Sequence, residues 1–431
     1  MNQPRATRIL VIGYVWPEPK SSAAGGYVMQ LLGTFLQQGW DVTYSSPAGA
    51  GEHQEDLTVL GIREVPIELN NSSFDAFVSD LAPDIVLFEQ FMMEEQFGWR
   101  VEKHRPEALR VLATQDLQSL RHARHQRLKD RLNASDDDND FSALFAPALR
   151  EEFELMADTD LAKREIAALY RCDLNLMVSE MEIELLVEQF RVPRSLLHWC
   201  PLMVEPSSAA PAPFEARANF LSIGNFRHAP NWDAVLWLKS TVWPLIRQQL
   251  PTAQLHIYGA YTPPKATALH NAAQGFHVMN WAEDALQVMT AARVLLAPLR
   301  FGAGIKGKNL DAMLCGTPNV TTPIGAEGMH GEADWPGAIT RTAREFADQA
   351  VKLYTDQALW QTAQAQGLAL LAERYRQSVH GPALIERLTE CRQQLAHIRR
   401  DNFTGSMLRH HQHKSTQYMA QWIEAKNRNV Q

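Results

Sequence analysis

Residues 293–329 read RVLLAPLRFGAGIKGKNLDAMLCGTPNVTTPIGAEGM, and this stretch decides the fold of its half of the chain. An apolar run of strand length, 294–297, leads into a turn holding Gly302 and Gly304 and then into a segment of helical pattern. Lys306 and Lys308 fall in the first turn of that helix, Gly316 ends it, and Pro318 opens a second short strand over 319–322. Strand, glycine turn and helix start, in that order, put unpaired N–H groups and a positive dipole end where a ligand can approach the backbone closely. Two added ammonium groups make this a seat for a diphosphate. Lys306, nearest the helix start, is the first candidate ligand. Lys308, two residues on and about 200° round the helix, ranks second. Asp311 lies further along as an acceptor for hydroxyl groups.

Outward from this stretch, apolar strand runs alternate with helical patterns in both directions. In the first half, strands are expected over 8–14, 41–45, 85–88, 110–113, 173–178 and near 196–199, with helices over 26–38, 148–170 and 180–189. In the second, strands at 219–223, 254–258, 276–279 and 294–297 accompany helices over 232–250 and 284–292, and helices from 342 to 399 follow. Such alternation predicts parallel sheets with helices on both faces. Residues 201–213, PLMVEPSSAAPAP, have no periodicity and read as a linker. The chain therefore reads as α/β, two Rossmann-like lobes facing each other across a cleft, with C-terminal helices. The expected division is an N-terminal domain over 1–205, a C-terminal domain over 206–385, and a C-terminal helix and polar tail over 386–431. That tail, with His410, His411 and His413, reads as surface. Residues 133–140, NASDDDND, lack the glycine and closing glutamate of a calcium loop and read as solvated.

The length of 431 residues suits two ordinary domains. A hydrophobic content of 45% with a mean hydropathy of -0.27 describes a globular chain. Its net charge of -8 opposes nucleic-acid binding through an overall positive field, so no nucleic-acid partner is expected. Cys172, Cys200, Cys315 and Cys391 form no CxxC pair, which suits a reducing compartment and no zinc site. Arg5 and Arg8 precede an apolar run at 9–16, but Gly13 and the PEPK that follows fit a first strand entering a loop better than a signal sequence. No run approaches the roughly 18 apolar residues that span a bilayer. The expected location is the cytoplasm.

Several further residues stand where chemistry is expected. Gly25 and Gly26 precede a helix after the first strand; their N–H groups either face a phosphate across the cleft or merely begin the helix. The surrounding GYVWPEPKSSAAGG lacks the tight GxGxxG spacing of a dinucleotide site, which counts against an NAD-dependent oxidoreductase. Asp116, at a strand-to-helix junction, either handles an acceptor hydroxyl or caps the helix. Arg121, His122, Arg124, His125 and Arg127 make a basic helix face, open to an acidic or lipid-linked molecule or only to solvent. Arg227, in the turn GNFRHAPN, is placed to reach anionic oxygens from a neighbouring loop. Trp232, Trp237 and Trp243 fall at helical spacing and read as packing.

The GAGIKGK segment with its flanking strands, together with FLSIGNFRHAPNWDAVLWL at 220–238, resembles the donor-binding domain of retaining, family-4-type glycosyltransferases of bacterial type, which have the GT-B fold. The resemblance is continuous from about 219 to 330 and weaker over the first 200 residues. It implies transfer of a sugar from a nucleoside-diphosphate donor to a hydroxyl of a glycan or lipid-linked acceptor, with retention, in polysaccharide biosynthesis. It implies a last helix that crosses back to the first lobe. Lys306 and Arg227 would hold the departing diphosphate, Asp311 the ribose or sugar hydroxyls, and Asp116 the acceptor. Trp281 would lie beside the nucleobase, and Gly302, Gly304 and Glu327 near the donor. No metal and no other cofactor is implied, because no DxD-type carboxylate cluster ends a strand and a lysine with a helix dipole does the same electrostatic work. The family's pattern has two glutamates with seven residues between them. Here the second is Asp311 and the first is Ala303, so a catalytically inactive homologue acting as a scaffold is the alternative. Peripheral contact with the inner face of the membrane would suit a lipid-linked acceptor, although no strongly basic amphipathic helix stands out.

Overall fold

The computed structural model describes residues 5–134, 140–145, 148–205 and 211–428. Most of the acidic NASDDDND stretch and the middle of the Pro-rich linker, residues 135–139 and 206–210, lie outside the described residues. Two wholly parallel sheets organise the rest. The first lobe holds β1 (Arg8–Ile12), β2 (Asp41–Ser46), β3 (Arg63–Pro66), β4 (Ile85–Glu89), β5 (Leu109–Ala113), β6 (Leu174–Met177) and β7 (Leu197–Trp199) in the order β3-β2-β1-β4-β5-β6-β7. The second holds β8 (Ala218–Ile223), β9 (Leu255–Tyr258), β10 (Phe276–Asn280), β11 (Ala292–Ala297), β12 (Asn319–Thr321) and β13 (Gly337–Ile339) in the order β10-β9-β8-β11-β12-β13. In each, the first strand of the lobe lies inside the sheet and the order reverses beside it. Helices cover both faces, so the central strands are buried on both sides and read as unbroken apolar runs.

Three differences from the sequence reading have physical causes. β3 and β13 carry no apolar run: both are edge strands, partly exposed along their length. The helix expected over 148–170 is two helices, Leu149–Ala157 and Asp160–Arg171, because Thr159 caps the second by accepting from Ala162 N at 3.1 Å. The helix expected over 232–250 begins earlier, as Ala229–Trp237, and passes through a π turn at Leu238–Val242 before Trp243–Gln249.

The lobes are fastened together. A single apolar cluster contains Val28 and Leu31 of the first lobe, Leu202 of the connection, and Ile305, Leu310 and Met313 of the second. The two crossing segments run side by side, with Val204 N donating to Tyr375 O at 2.7 Å and Gln377 N to Val204 O at 3.1 Å. The helix Gln377–Gln393 then returns to the first lobe, where Arg387 donates to Ser195 O at 2.6 Å and Arg392 to Thr7 Oγ1 at 3.0 Å. The final stretch, expected as a polar surface tail, is helical instead: Leu395–Asp401, Phe403–Leu408 and Lys414–Arg428, the last two joined by a π turn at Arg409–His413. His413 is buried there, its Nδ1 2.6 Å from Glu102 Oε2. None of the described helices is long and apolar enough to cross a membrane.

Candidate functional site

A cavity of about 600 Å³ lies between the carboxyl ends of the two sheets, where loops after β1, β4 and β5 meet loops after β8, β9, β10 and β11. Ligands of open α/β sheets collect at this edge. The volume suits a nucleotide-sized ligand.

The second lobe contributes a helix start that no side chain closes. Lys306 precedes the helix Gly307–Leu314 with extended backbone (φ -99°, ψ 94°) and makes no cap bond. The first N–H groups of that helix, at Gly307 and Lys308, therefore stand at the cavity wall. The buried Lys306 ammonium donates to Gly304 O at 2.5 Å. Burial pulls it down to about 8, against the carboxylates of Glu327, Glu182 and Asp116. Lys308 donates to Asn231 Oδ1 at 2.8 Å and is likewise lowered to about 8 by burial. Both lysines line the cavity, contrary to the 200° offset expected of them. The reason is that Lys306 is not helical, so the helical angle between them does not apply. Asp311 lines the same cavity, and burial raises its carboxyl to about 7.

The glycine turn is also where the lobes touch. Gly304 has φ 62°, and a Cβ there would lie 2.9 Å from both Asp116 Cβ and Gln115 O. A Cβ on Gly307 would lie 2.5 Å from that of Ala23. Gly302 contributes its carbonyl, which accepts from Arg124 at 2.9 Å. These contacts need glycine for close packing as much as for ligand access.

On the first-lobe side, Asp116 is not the helix cap. The N–H groups that open helix Gln118–Ala134 go to Glu165, from Gln118 at 2.9 Å and from Ser119 at 3.0 Å. The Asp116 carboxylate instead pairs with Arg121 at the cavity wall. Burial raises it, while Arg121 and Lys306 pull the other way. Gly25 and Gly26 do not present their N–H groups to the cavity. Gly25 N donates to Ser22 Oγ at 3.0 Å and Gly26 N to Ser22 O at 3.1 Å, which leaves Gly26 as open wall and Gly25 behind it. The basic face is not simply solvated. Arg124 is buried and grips Glu152 at 2.9 Å and both oxygens of Glu327 at 2.7 and 2.8 Å, and the His125 ring stacks on Phe301 at 4.3 Å. Glu327 is thus engaged by the first lobe and lies off the cavity lining.

Arg227 and Trp281 line the cavity, each already in contact with an aromatic ring. The Arg227 guanidinium lies 3.5 Å above Tyr261, whose hydroxyl donates to Glu18 Oε1 at 2.7 Å. Trp281 stacks flat on His53 of the first lobe, 4.0 Å between ring centres.

Two sets of residues escaped the sequence reading. Glu182 accepts from Gly304 N at 2.6 Å and from Leu117 N at 3.3 Å, and burial raises it to about 8. A glutamate in register with the apolar Leu185 and Leu186 was the signal. Gln90 and Gln115, after β4 and β5, both have positive φ (67° and 63°) and share a side-chain bond of 3.0 Å at the cavity wall. Nothing local in the sequence marks them. Among the described residues no three His, Cys, Asp or Glu side chains gather as a metal site requires.

Solved structures share this fold. HepE from Anabaena, solved in complex with UDP, superposes with a TM-score of 0.63 over 89% of this chain and 100% of that one, at 13% identity. Sucrose-phosphate synthase from Thermosynechococcus elongatus gives 0.62 over 90% and 99%, also at 13% identity. WaaG, a glycosyltransferase involved in lipopolysaccharide biosynthesis, gives 0.58 over 87% and 98%, again at 13%. The fold is GT-B. Within it, residues 217–356, from β8 through the helix Ala343–Thr355, match the family model for glycosyl transferases group 1. A curated relative, an uncharacterized 44.6 kDa protein in the cps region of Klebsiella pneumoniae, is 29% identical over 124 residues, 26% of this chain and 32% of that protein. The chain spans about a third of that relative.

Proposed function

We propose that the chain is a glycosyltransferase that takes a sugar from a nucleoside diphosphate and passes it, with retention, to a hydroxyl of a glycan or lipid-linked acceptor. Lys306 carries the reading: a buried ammonium at an uncapped helix start, in an interlobe cleft, on the segment that matches the glycosyltransferase model. In the transfer, the bond between the anomeric carbon and the diphosphate oxygen breaks and the diphosphate leaves with both electrons. The acceptor oxygen bonds to that carbon on the face the diphosphate leaves, which keeps the configuration, and passes its proton to an oxygen of the departing diphosphate. Lys306 and the N–H groups of Gly307 and Lys308 oppose the charge gathering on the leaving group. Arg227 leaves the Tyr261 ring to join them, and Asp311 accepts from ribose or sugar hydroxyls. Asp116 orients the acceptor hydroxyl, and the open face of Trp281 receives the base. No resident metal enters this reading. The cps-region relative and the lipopolysaccharide enzyme WaaG support polysaccharide synthesis as the setting.

Ala303 lines the cavity where the resembled family has a glutamate, and this favours one other reading, a nucleotide-free scaffold. Thermal unfolding against UDP, GDP, ADP, CDP and NAD separates the two. A ligand at a hundred times its dissociation constant adds about 2.7 kcal/mol. The proposal expects one nucleoside diphosphate to stabilise the chain, UDP being the first to try because HepE was solved with it, and Lys306→Ala to lose that shift. No shift with any nucleotide would favour the scaffold.

A further inference from the structure

The segment 403–428 leaves one face of a long helix bare. Phe403 is 69% exposed, Tyr418 65%, Trp422 60%, Met419 58% and Met407 48%. Gly405, Arg409, His413 and Ala420 are buried and fix the opposite face against the first lobe. Counted as an unbroken α-helix, the five exposed apolar side chains would spread over roughly 160°. The π turn at Arg409–His413 inserts about one residue and draws them within roughly 100°. The sequence pattern conceals the stripe for that reason.

Charge says what this stripe faces. The segment's exposed cations are Lys414, Lys426 and Arg428, Arg409 being buried against Glu102, and its one acid is Glu424, in a chain whose net charge is -8. That one acid, Glu424, is turned inward, accepting from Ser72 Oγ at 2.7 Å and from Arg428 at 2.7 Å. Lys414 and Lys426 flank the aromatic residues, and Lys426 lies over the Trp422 ring at 5.4 Å. A second copy laid stripe to stripe would set lysines against lysines, with Glu424 already engaged by Ser72 and Arg428. We propose that the stripe docks on the surface of an anionic lipid bilayer, with Trp422, Tyr418 and Phe403 at the level of the headgroups and the lysines on the lipid phosphates. The helix runs from Asn402, bonded to Tyr170 O at the far end of the first lobe, to Glu424 beside Ser72 at the start of helix Ser73–Leu81, on the cleft side. Docking would therefore lay the flank of the first lobe along the membrane. The proposal rests on this surface and not on the reaction assigned to the cleft.

The test is flotation of the full chain with vesicles of phosphatidylcholine alone and of phosphatidylcholine mixed with phosphatidylglycerol. The chain is expected to float with the mixed vesicles and to be released by salt. Tyr418→Ser/Met419→Ser/Trp422→Ser and Lys414→Glu/Lys426→Glu should each cut partitioning by about tenfold or more. All these side chains point outward, so the melting temperature serves as a control for folding. Absence from the mixed vesicles, or undiminished binding by both variants, would overturn the proposal. So would a wild-type dimer that the triple serine variant turns into monomer without any vesicle binding.

Discussion

Three helix starts meet at the glycine turn, and they are finished in different ways. On the first-lobe side, helix Ala23–Gln37 is closed by its own Ser22, and helix Gln118–Ala134 by Glu165 from a neighbouring helix. On the second-lobe side, helix Gly307–Leu314 has no side-chain cap and carries two cations that burial has already weakened. A capped start gains stability from its side-chain bond but still leaves its first two N–H groups, at Ala23 and Ala24 in the case of Ser22, beside the cavity without a cation in their own turn. The uncapped one forgoes that bond and bears the cost of burying Lys306, and on the function proposed above the anionic donor would offset both. On that proposal the two lobes divide the work, with the anion seat on the second and the fitted wall on the first.

Substitutions at the two kinds of start should fail in opposite ways. Lys306→Met is expected to lower turnover with a nucleotide sugar by about 10²–10³, the scale of losing one preorganised group at a leaving oxygen. The ligand-free protein should not melt earlier. Because burial lowers the folded-state value to about 8, the charged lysine is a cost below that pH, relieved as pH rises towards the unfolded value near 10.5. Loss of melting temperature in this variant would refute the division. Glu165→Ala should reverse the pattern, costing about 1–3 kcal/mol in denaturant unfolding by orphaning the N–H groups of Gln118 and Ser119, with nucleotide affinity nearly unchanged.

A smaller effect should appear in pH dependence. Donor affinity is expected to rise as Asp311 ionises through about 7 and to fall as Lys306 and Lys308 lose charge above about 8. Calorimetric titration of the nucleotide sugar from pH 6 to 9 should trace a narrow maximum, and Asp311→Asn should flatten only its acid side. A maximum that survives unchanged would mean Asp311 does not touch the donor.

The sequence revealed what is locally written. Apolar runs marked the buried strands, and the glycines and lysines of 302–308 marked the open helix start. The edge strands β3 and β13 were silent because half-exposed strands need no apolar run. What stayed hidden was supplied from far along the chain. The choice between cap and acceptor contact for Asp116 stayed open because the true cap, Glu165, lies 47 residues from Gln118. Glu327, expected near the donor, is held by Arg124, which lies 203 positions away in sequence. The π turn at Arg409–His413 hid the bare stripe by shifting its register, which no count of residues by three and four could follow.

The most direct test of the division of labour is a crystal structure with the nucleoside diphosphate that most raises the melting temperature. The account predicts both phosphates at the start of helix Gly307–Leu314, within hydrogen-bond reach of Lys306 Nζ and the Gly307 and Lys308 N–H groups. Phosphates seated on the first-lobe helix starts, at Ala23 or beside Asp116, would contradict it.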